Sequence, residues 1–397
     1  MRIADRISRL GTETAFAVGA EAAAYAAKGN RVYPFHLGDM DLPTPSTVVE
    51  GAMQAIKDGK TGYCPNAGIA PLREAIAANV AASHNQPYTA ENVVVQPGGK
   101  PTIGKFLAAV MNEGDEVLYP NPGYPIYESQ IEYLGGKAVP YGYIEVEDNF
   151  DLDFDSIERG ITGRTTVLIL NDLQNPNGAE LSPEHRSRLA DIVRVNDLYV
   201  LCDEAYFDIR YAGESVSFVE EPGMAERSVI LYTFSKKFAM TGWRLGASIG
   251  PKEIVDVIAK LNVNDESCTT HFIQYGGVAG LEGDQSEVGA IIDTLRTRRD
   301  AAAAGLNAID GIRCIVPDAT FYLFPNVTAV MNRKGLGDYE DFRRAALEAT
   351  GVSFTTRRHF GRQQPGEVDR YVRFAYSGIG VDDIAESLAL FKDWCEA

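Results

Sequence analysis

Lys236, Arg244 and the hydroxyls of Thr233 and Ser235 stand close together around the stretch Ser235-Lys236-Lys237-Phe238-Ala239-Met240-Thr241-Gly242-Trp243-Arg244-Leu245-Gly246. A lysine amine attacks a carbonyl only when desolvation or neighbouring positive charge keeps part of it neutral. Arg244 can supply that charge, and its planar fork also grips phosphate at two points. The combination suits Schiff-base chemistry on a phosphorylated ligand. The ordinary alternative is that Lys236, Lys237 and Arg244 are solvated surface charges. Against it, Val229 to Phe234 reads as a buried apolar strand, so Lys236 leaves a sheet at the edge where ligands collect.

Other stretches carry usable chemistry in the same way. Gln96-Pro97-Gly98-Gly99-Lys100-Pro101 follows a strand and opens a helix, so its amides and the helix dipole suit a phosphate, though a Gly-Gly turn is often only a turn. Asn121-Pro122-Gly123-Tyr124-Pro125 and Leu173-Gln174-Asn175-Pro176-Asn177-Gly178 also follow strands. Asp203, in Asp203-Glu204-Ala205-Tyr206, ends the run Tyr199 to Cys202, so its carboxylate emerges at the carboxyl edge; a helix cap is the plain alternative. Arg373, in Tyr371-Val372-Arg373-Phe374-Ala375-Tyr376, could pair bidentately with a carboxylate.

The segment around Lys236 resembles the cofactor-lysine signature of class I aminotransferases, fold type I enzymes that use pyridoxal 5′-phosphate, and the resemblance extends from Leu37 to Arg373. It implies that Lys236, not Lys237, forms the Schiff base. It also implies a cofactor site of Tyr63, Gly98, Gly99, Lys100, Tyr124, Asn175, Asp203, Tyr206, Thr233, Ser235, Lys236 and Arg244. In that site Arg244 holds the phosphate, Tyr124 stacks on the ring, Asn175 and Tyr206 meet its phenolic oxygen, and Asp203 keeps its nitrogen protonated. The implied substrate site is Gly38, Lys100, Tyr124, Asn175 and Arg373, with Arg373 on the α-carboxylate. Tyr63 is implied to reach the phosphate of a second subunit, which makes the protein a homodimer with shared active sites.

Three departures are visible. Thr233 stands where the family usually has Gly or Ser. Asn177 replaces a threonine in the Asn-Pro-Thr-Gly turn. Tyr124 replaces the tryptophan usual in aspartate-specific members, whereas the Gly-Gly-Lys turn is similar to that of bacterial-type aspartate aminotransferases, where the lysine reaches the distal carboxylate of a dicarboxylic substrate. Lys100 therefore points toward acidic substrates and Tyr124 toward broader ones, and an ordinary solvated lysine remains an open reading of Lys100.

The elements that must position these residues are legible as alternating short apolar runs and helical patterns. Val93 to Val95, Glu116 to Tyr119, Thr166 to Leu170, Tyr199 to Cys202 and Val229 to Phe234 are predicted strands, and Ser182-Pro183 starts a helix with a capping hydroxyl. The end of the chain predicts a smaller α+β unit: strands at Ile312 to Val316, Phe321 to Phe324 and Tyr371 to Tyr376, a helix at Tyr339 to Ala349, and a connecting helix from Asp284 to Leu306. The fold class is thus α/β, with a mostly parallel central sheet flanked by helices and a smaller α+β unit. The resemblance implies a fold type I transferase whose large domain spans residues 45–285 and whose small domain is formed by residues 1–44 and 286–397.

At 397 residues, 45% hydrophobic and 23% charged, the chain is enzyme-sized and globular. A formal charge of −18 repels nucleic acid and anionic membranes, so any anion site must come from local cations and amides. The odd set Cys64, Cys202, Cys268, Cys314 and Cys395 has no CxxC spacing, which favours a reducing cytoplasm over a disulfide framework. His36, His84, His185, His271 and His359 show no ligand spacing, so no metal site is expected. Met1 to Leu10 lacks the pattern of a secretory signal, and no apolar run is long enough for a membrane span. The expected activity is amino-group transfer between an L-amino acid and a 2-oxo acid, of aspartate/glutamate type or broad. The alternatives are a lyase or decarboxylase on the same scaffold and a cofactor-sensing regulator. Against the regulator, the resemblance begins by Leu37, where a preceding DNA-binding module would stand.

Overall fold

The computed structural model describes residues 2–11 and 14–397. Met1, Thr12 and Glu13, within the expected small-domain segment, lie outside the described residues. A seven-stranded sheet dominates, ordered from one edge as Val93–Gln96, Gly246–Ile249, Ser228–Thr233, Tyr199–Asp203, Thr165–Leu170, Glu116–Pro120 and Lys137–Tyr141. Gly246–Ile249 runs antiparallel to both neighbours, and the other adjacent pairs are parallel. Such strands are covered on both faces and so read as unbroken apolar runs.

Alternate residues feed two cores. Val93, Val95, Leu168, Leu170, Val200, Cys202 and Ile230 face one layer of helices, while Val94, Val167, Ile169, Leu201, Val229 and Leu231 face the other. On the second face lies helix Lys100–Val110, which buries Ile103, Phe106 and Leu107. Pro183–Val195 covers the first face through Leu189, Ala190 and Val193, and the Ser182 hydroxyl accepts the His185 N–H at 3.1 Å.

A separate core lies around a three-stranded sheet of Tyr322–Leu323, Val372–Ala375 and Thr355–Thr356. Tyr33–Pro34 pairs in parallel with Val352–Ser353, which brings the early chain against this later part. Helix Ser286–Asn307 spans both bodies, with Val288 in the large-sheet core and Leu295, Ala302 and Leu306 in the other.

One predicted strand is corrected: Ile312 to Val316 forms only an isolated bridge, Arg313 to Asn326. The Asn307 side chain takes both the Cys314 N–H and its carbonyl, each at 2.9 Å, so the backbone groups that a ladder would use are satisfied locally.

Candidate active site

Parallel strands end on one side of their sheet, and the loops that leave those ends converge. Here Pro120 leads to Tyr124, Leu170 to Asn175, Asp203 ends its own strand, and Thr233 leads to Lys236. The turn after Gln96 and the start of Gly246–Ile249 meet on the same side, where Gly246 lies against the Gly98–Gly99 peptide.

Gly98 adopts a left-handed φ of +95°, a conformation that L side chains rarely take, and it lies beneath the guanidinium, with a Cβ position only 2.4 Å from Arg244 Nη2. Arg244 is itself left-handed, at φ 57°, and its Nη1 donates to the Thr241 carbonyl at 2.8 Å. The Thr233 hydroxyl donates to Ser235 Oγ at 2.9 Å and accepts the Ser235 N–H at 3.2 Å. Gly99 caps helix Lys100–Val110 without any side-chain cap, which leaves the first amides to a ligand. The four groups form an anion cradle.

Asp203 is 6% exposed and lies on the other side of the site. Its Oδ2 accepts the Tyr127 hydroxyl at 2.5 Å, and Oδ1 accepts the Ala205 N–H at 3.2 Å. Burial dominates and raises its carboxyl to about 6, while those neutral donors and the more distant Lys236 pull the other way. A buried acid with neutral donors suits a cationic ligand group.

The two lysines separate cleanly. Lys236 Nζ donates to the Gly38 carbonyl at 2.9 Å and lies 5.3 Å from the Phe321 ring centre, whereas Lys237 pairs with Asp208 at 2.9 Å. Arg373, 4% exposed, donates through Nη1 to Asn175 Oδ1 at 2.9 Å and through Nη2 to the His36 carbonyl at 3.0 Å. Gly38 has no room for a Cβ, which would sit 2.2 Å from the Tyr322 hydroxyl. Lys100 Nζ stands 5.6 Å from the Tyr124 ring centre. Asn177 serves its own turn, accepting the Ala179 N–H at 2.9 Å.

Contacts link Lys236 to Gly38 and the Tyr206 ring, 6.0 Å from its Nζ, and Arg373 to Asn175, with Asp203 close enough to sense the Lys236 charge, while Gly98–Gly99, Thr233, Ser235 and Arg244 group together. Tyr63 is not gathered: it is 89% exposed. Sequence reasoning missed Tyr322, whose hydroxyl lies 2.7 Å from that of Tyr206 and whose ring centre is 4.3 Å from the Arg373 guanidinium carbon. It also missed Tyr127 and His36. Burial, followed by the Arg373 charge, lowers the His36 imidazole to about 4. The single local signal for Tyr127 was its position one helical turn beyond Tyr124.

A lysine, a buried acid and an anion cradle at the carboxyl edge of this sheet define a fold type I transferase. Residues 31–386 match the family described as aminotransferase class I and II. The aspartate aminotransferase of Musicola paradisiaca is 31% identical, with 97% of this chain and 96% of that protein covered. The probable aspartate/prephenate aminotransferase of Aquifex aeolicus is 32% identical, with 98% of each covered. The structure of Thermus thermophilus aspartate aminotransferase with maleate superposes with a TM-score of 0.89 at 28% identity, over 99% of this chain and 100% of that one. The chain belongs to the class I and II aminotransferases, which are generally pyridoxal-phosphate-dependent, and it is an aminotransferase enzyme.

Proposed function

We propose that this enzyme holds pyridoxal 5′-phosphate between the anion cradle and Asp203, and uses it to exchange amino groups between an acidic or broader range of L-amino acids and 2-oxo acids. The observation that carries the reading is the set of contacts that places Lys236 at Gly38 and within electrostatic reach of the buried Asp203, and Arg373 on Asn175, with Gly98 in a left-handed turn beneath Arg244. The chemistry of the donors fits the cofactor: Arg244, Ser235, Thr233 and the Gly98–Gly99 amides for its phosphate, Asp203 for its ring nitrogen, Tyr124 for its ring face, and Asn175 and Tyr206 for its phenolic oxygen. When bound, it supplies an electron sink for the carbanion at the substrate's Cα.

The chain's own residues do the rest. Arg373 grips the α-carboxylate with its fork and so fixes the Cα–H bond toward Lys236. Lys236 Nζ would hold the cofactor covalently and, as a free amine in the presence of substrate, would take and return the α-proton. The Gly38 carbonyl holds that amine when it is protonated. Lys100, over the Tyr124 ring, receives the second carboxylate of an acidic donor.

Residues 45–285 act as the cofactor-binding domain, and residues 1–44 with 286–397 as the smaller domain that carries Arg373. The exposed Tyr63 completes the phosphate site of a partner in a homodimer. Among the described residues no helix is long and apolar enough to cross a membrane, and the reading places the enzyme in the cytoplasm.

Borohydride reduction of the cofactor-loaded protein, followed by peptide mapping, tests the reading. The label is expected on Lys236. A label on Lys237, or none, overturns it. An absorbance change on adding each amino acid in turn then defines the donor range, and no response to any of them excludes transamination through this site.

A further inference from the structure

Tyr127 is fully buried beside the site and has no task in the reading above. It lies in the first turn of helix Ile126–Tyr133, with its N–H on the Tyr124 carbonyl at 3.1 Å. Its hydroxyl donates to Asp203 Oδ2 at 2.5 Å. Its ring meets that of Tyr124 edge-on, with centres 5.7 Å apart and planes at 84°. One side chain therefore touches both the buried acid and the stacking ring.

The direction of that hydrogen bond has a chemical consequence. Burial first, and then the neighbouring Asp203 charge, push the Tyr127 hydroxyl far above its ordinary value, so it remains a donor throughout the working pH range. A carboxylate that accepts a permanent O–H bond is less basic than one that does not. The Ala205 N–H and Lys236 act on Asp203 in the same sense, and Glu204 opposes them. When two bases share one proton, weakening one leaves the proton on the other.

We propose that Tyr127 is a positioning residue: by donating to Asp203 Oδ2, it keeps the shared proton on the cofactor's ring nitrogen instead of on the carboxylate. The inference rests on the proposed placement of the ring nitrogen against Asp203. The bland alternative is that Tyr127 merely fills the core.

The test reconstitutes the parent and Tyr127→Phe with pyridoxal 5′-phosphate labelled with ¹⁵N in its ring. The parent nitrogen is expected at a protonated shift. In Tyr127→Phe it should move toward the unprotonated value, and the cofactor's Kd should rise about tenfold. An unchanged nitrogen shift and Kd in a folded Phe variant leave Tyr127 as core filler and overturn the proposal. A check without any variant is the Tyr127 hydroxyl proton of the parent, whose low-field resonance must move when the cofactor is added; indifference to the cofactor also overturns the proposal. Failure of the parent itself to bind the cofactor is a separate result, which removes the reading beneath it.

Discussion

Glu116 and Asp203 are both acids with almost no exposed surface, at opposite edges of one sheet, and their surroundings differ in kind. Glu116 opens its strand and takes Arg164 at 2.8 Å, the Thr162 hydroxyl at 2.5 Å and Lys137 at 2.9 Å. Those donors, Arg164 foremost, hold its carboxyl down at about 2. Asp203 closes its strand among neutral donors, and burial drives it up to about 6. The chain completes the first site by itself. The second is built to receive a charge from outside, which is how a perturbed acid at a sheet's carboxyl edge becomes functional.

The sharpest way to break this contrast lies at the carboxyl edge. Lys236→Ala should lower kcat at least about 10³-fold, because it removes both anchor and base. Lys237→Ala, which loses only the Asp208 pair, should stay within a few-fold of the parent by the same steady-state assay. Equal losses would erase the distinction between the two lysines. Next in size, Asp203→Asn should lower kcat about 10²-fold, the scale of one preorganised electrostatic contact.

The amino edge should answer in the opposite currency. Glu116→Gln should keep its turnover and lose about 2 kcal/mol in urea unfolding, since charge-assisted hydrogen bonds disappear. The pH dependence of cofactor-free protein sharpens the same point. The Glu116 contribution is present above its ordinary 4.5 and lost as pH falls toward about 2. Asp203 behaves inversely: its contribution is present below 3.8 and lost as pH rises through about 6. Urea midpoints from pH 3 to 7 should therefore flatten on the acid side in Glu116→Gln, and between pH 4 and 6 in Asp203→Asn. The same sign for both would sink the comparison. Smallest, Lys100→Ala should raise KM about tenfold for acidic donors alone, the worth of one exposed charge-assisted contact. A uniform change across donors would reduce Lys100 to a structural role.

Much of this was readable locally. The buried strands that end at Asp203 and Thr233 are unbroken apolar runs, and Ser182-Pro183 announced its helix through a cap and a fixed φ. The reading failed at Ile312 to Val316, whose apolar composition suits a strand, because the deciding partner was the Asn307 side chain and not a neighbouring strand. Tyr127 and Tyr322 were missed for a related reason. Each is an aromatic at an ordinary core position, and its hydroxyl acquires meaning only from a partner 76 or 116 residues away.

The sequence alone determined residue types, their order, and the strands that deliver Tyr124, Asn175, Asp203 and Lys236 to one edge, since apolar periodicity and turn chemistry act over a few residues. The tertiary structure decided that Lys236 turns toward Gly38 while Lys237 turns to Asp208, that Arg373 meets Asn175 across 198 residues, and that Asp203 is an uneasy acid while Glu116 is a settled one. Burial and through-space charge fix those outcomes, and neither leaves a periodic trace along the chain.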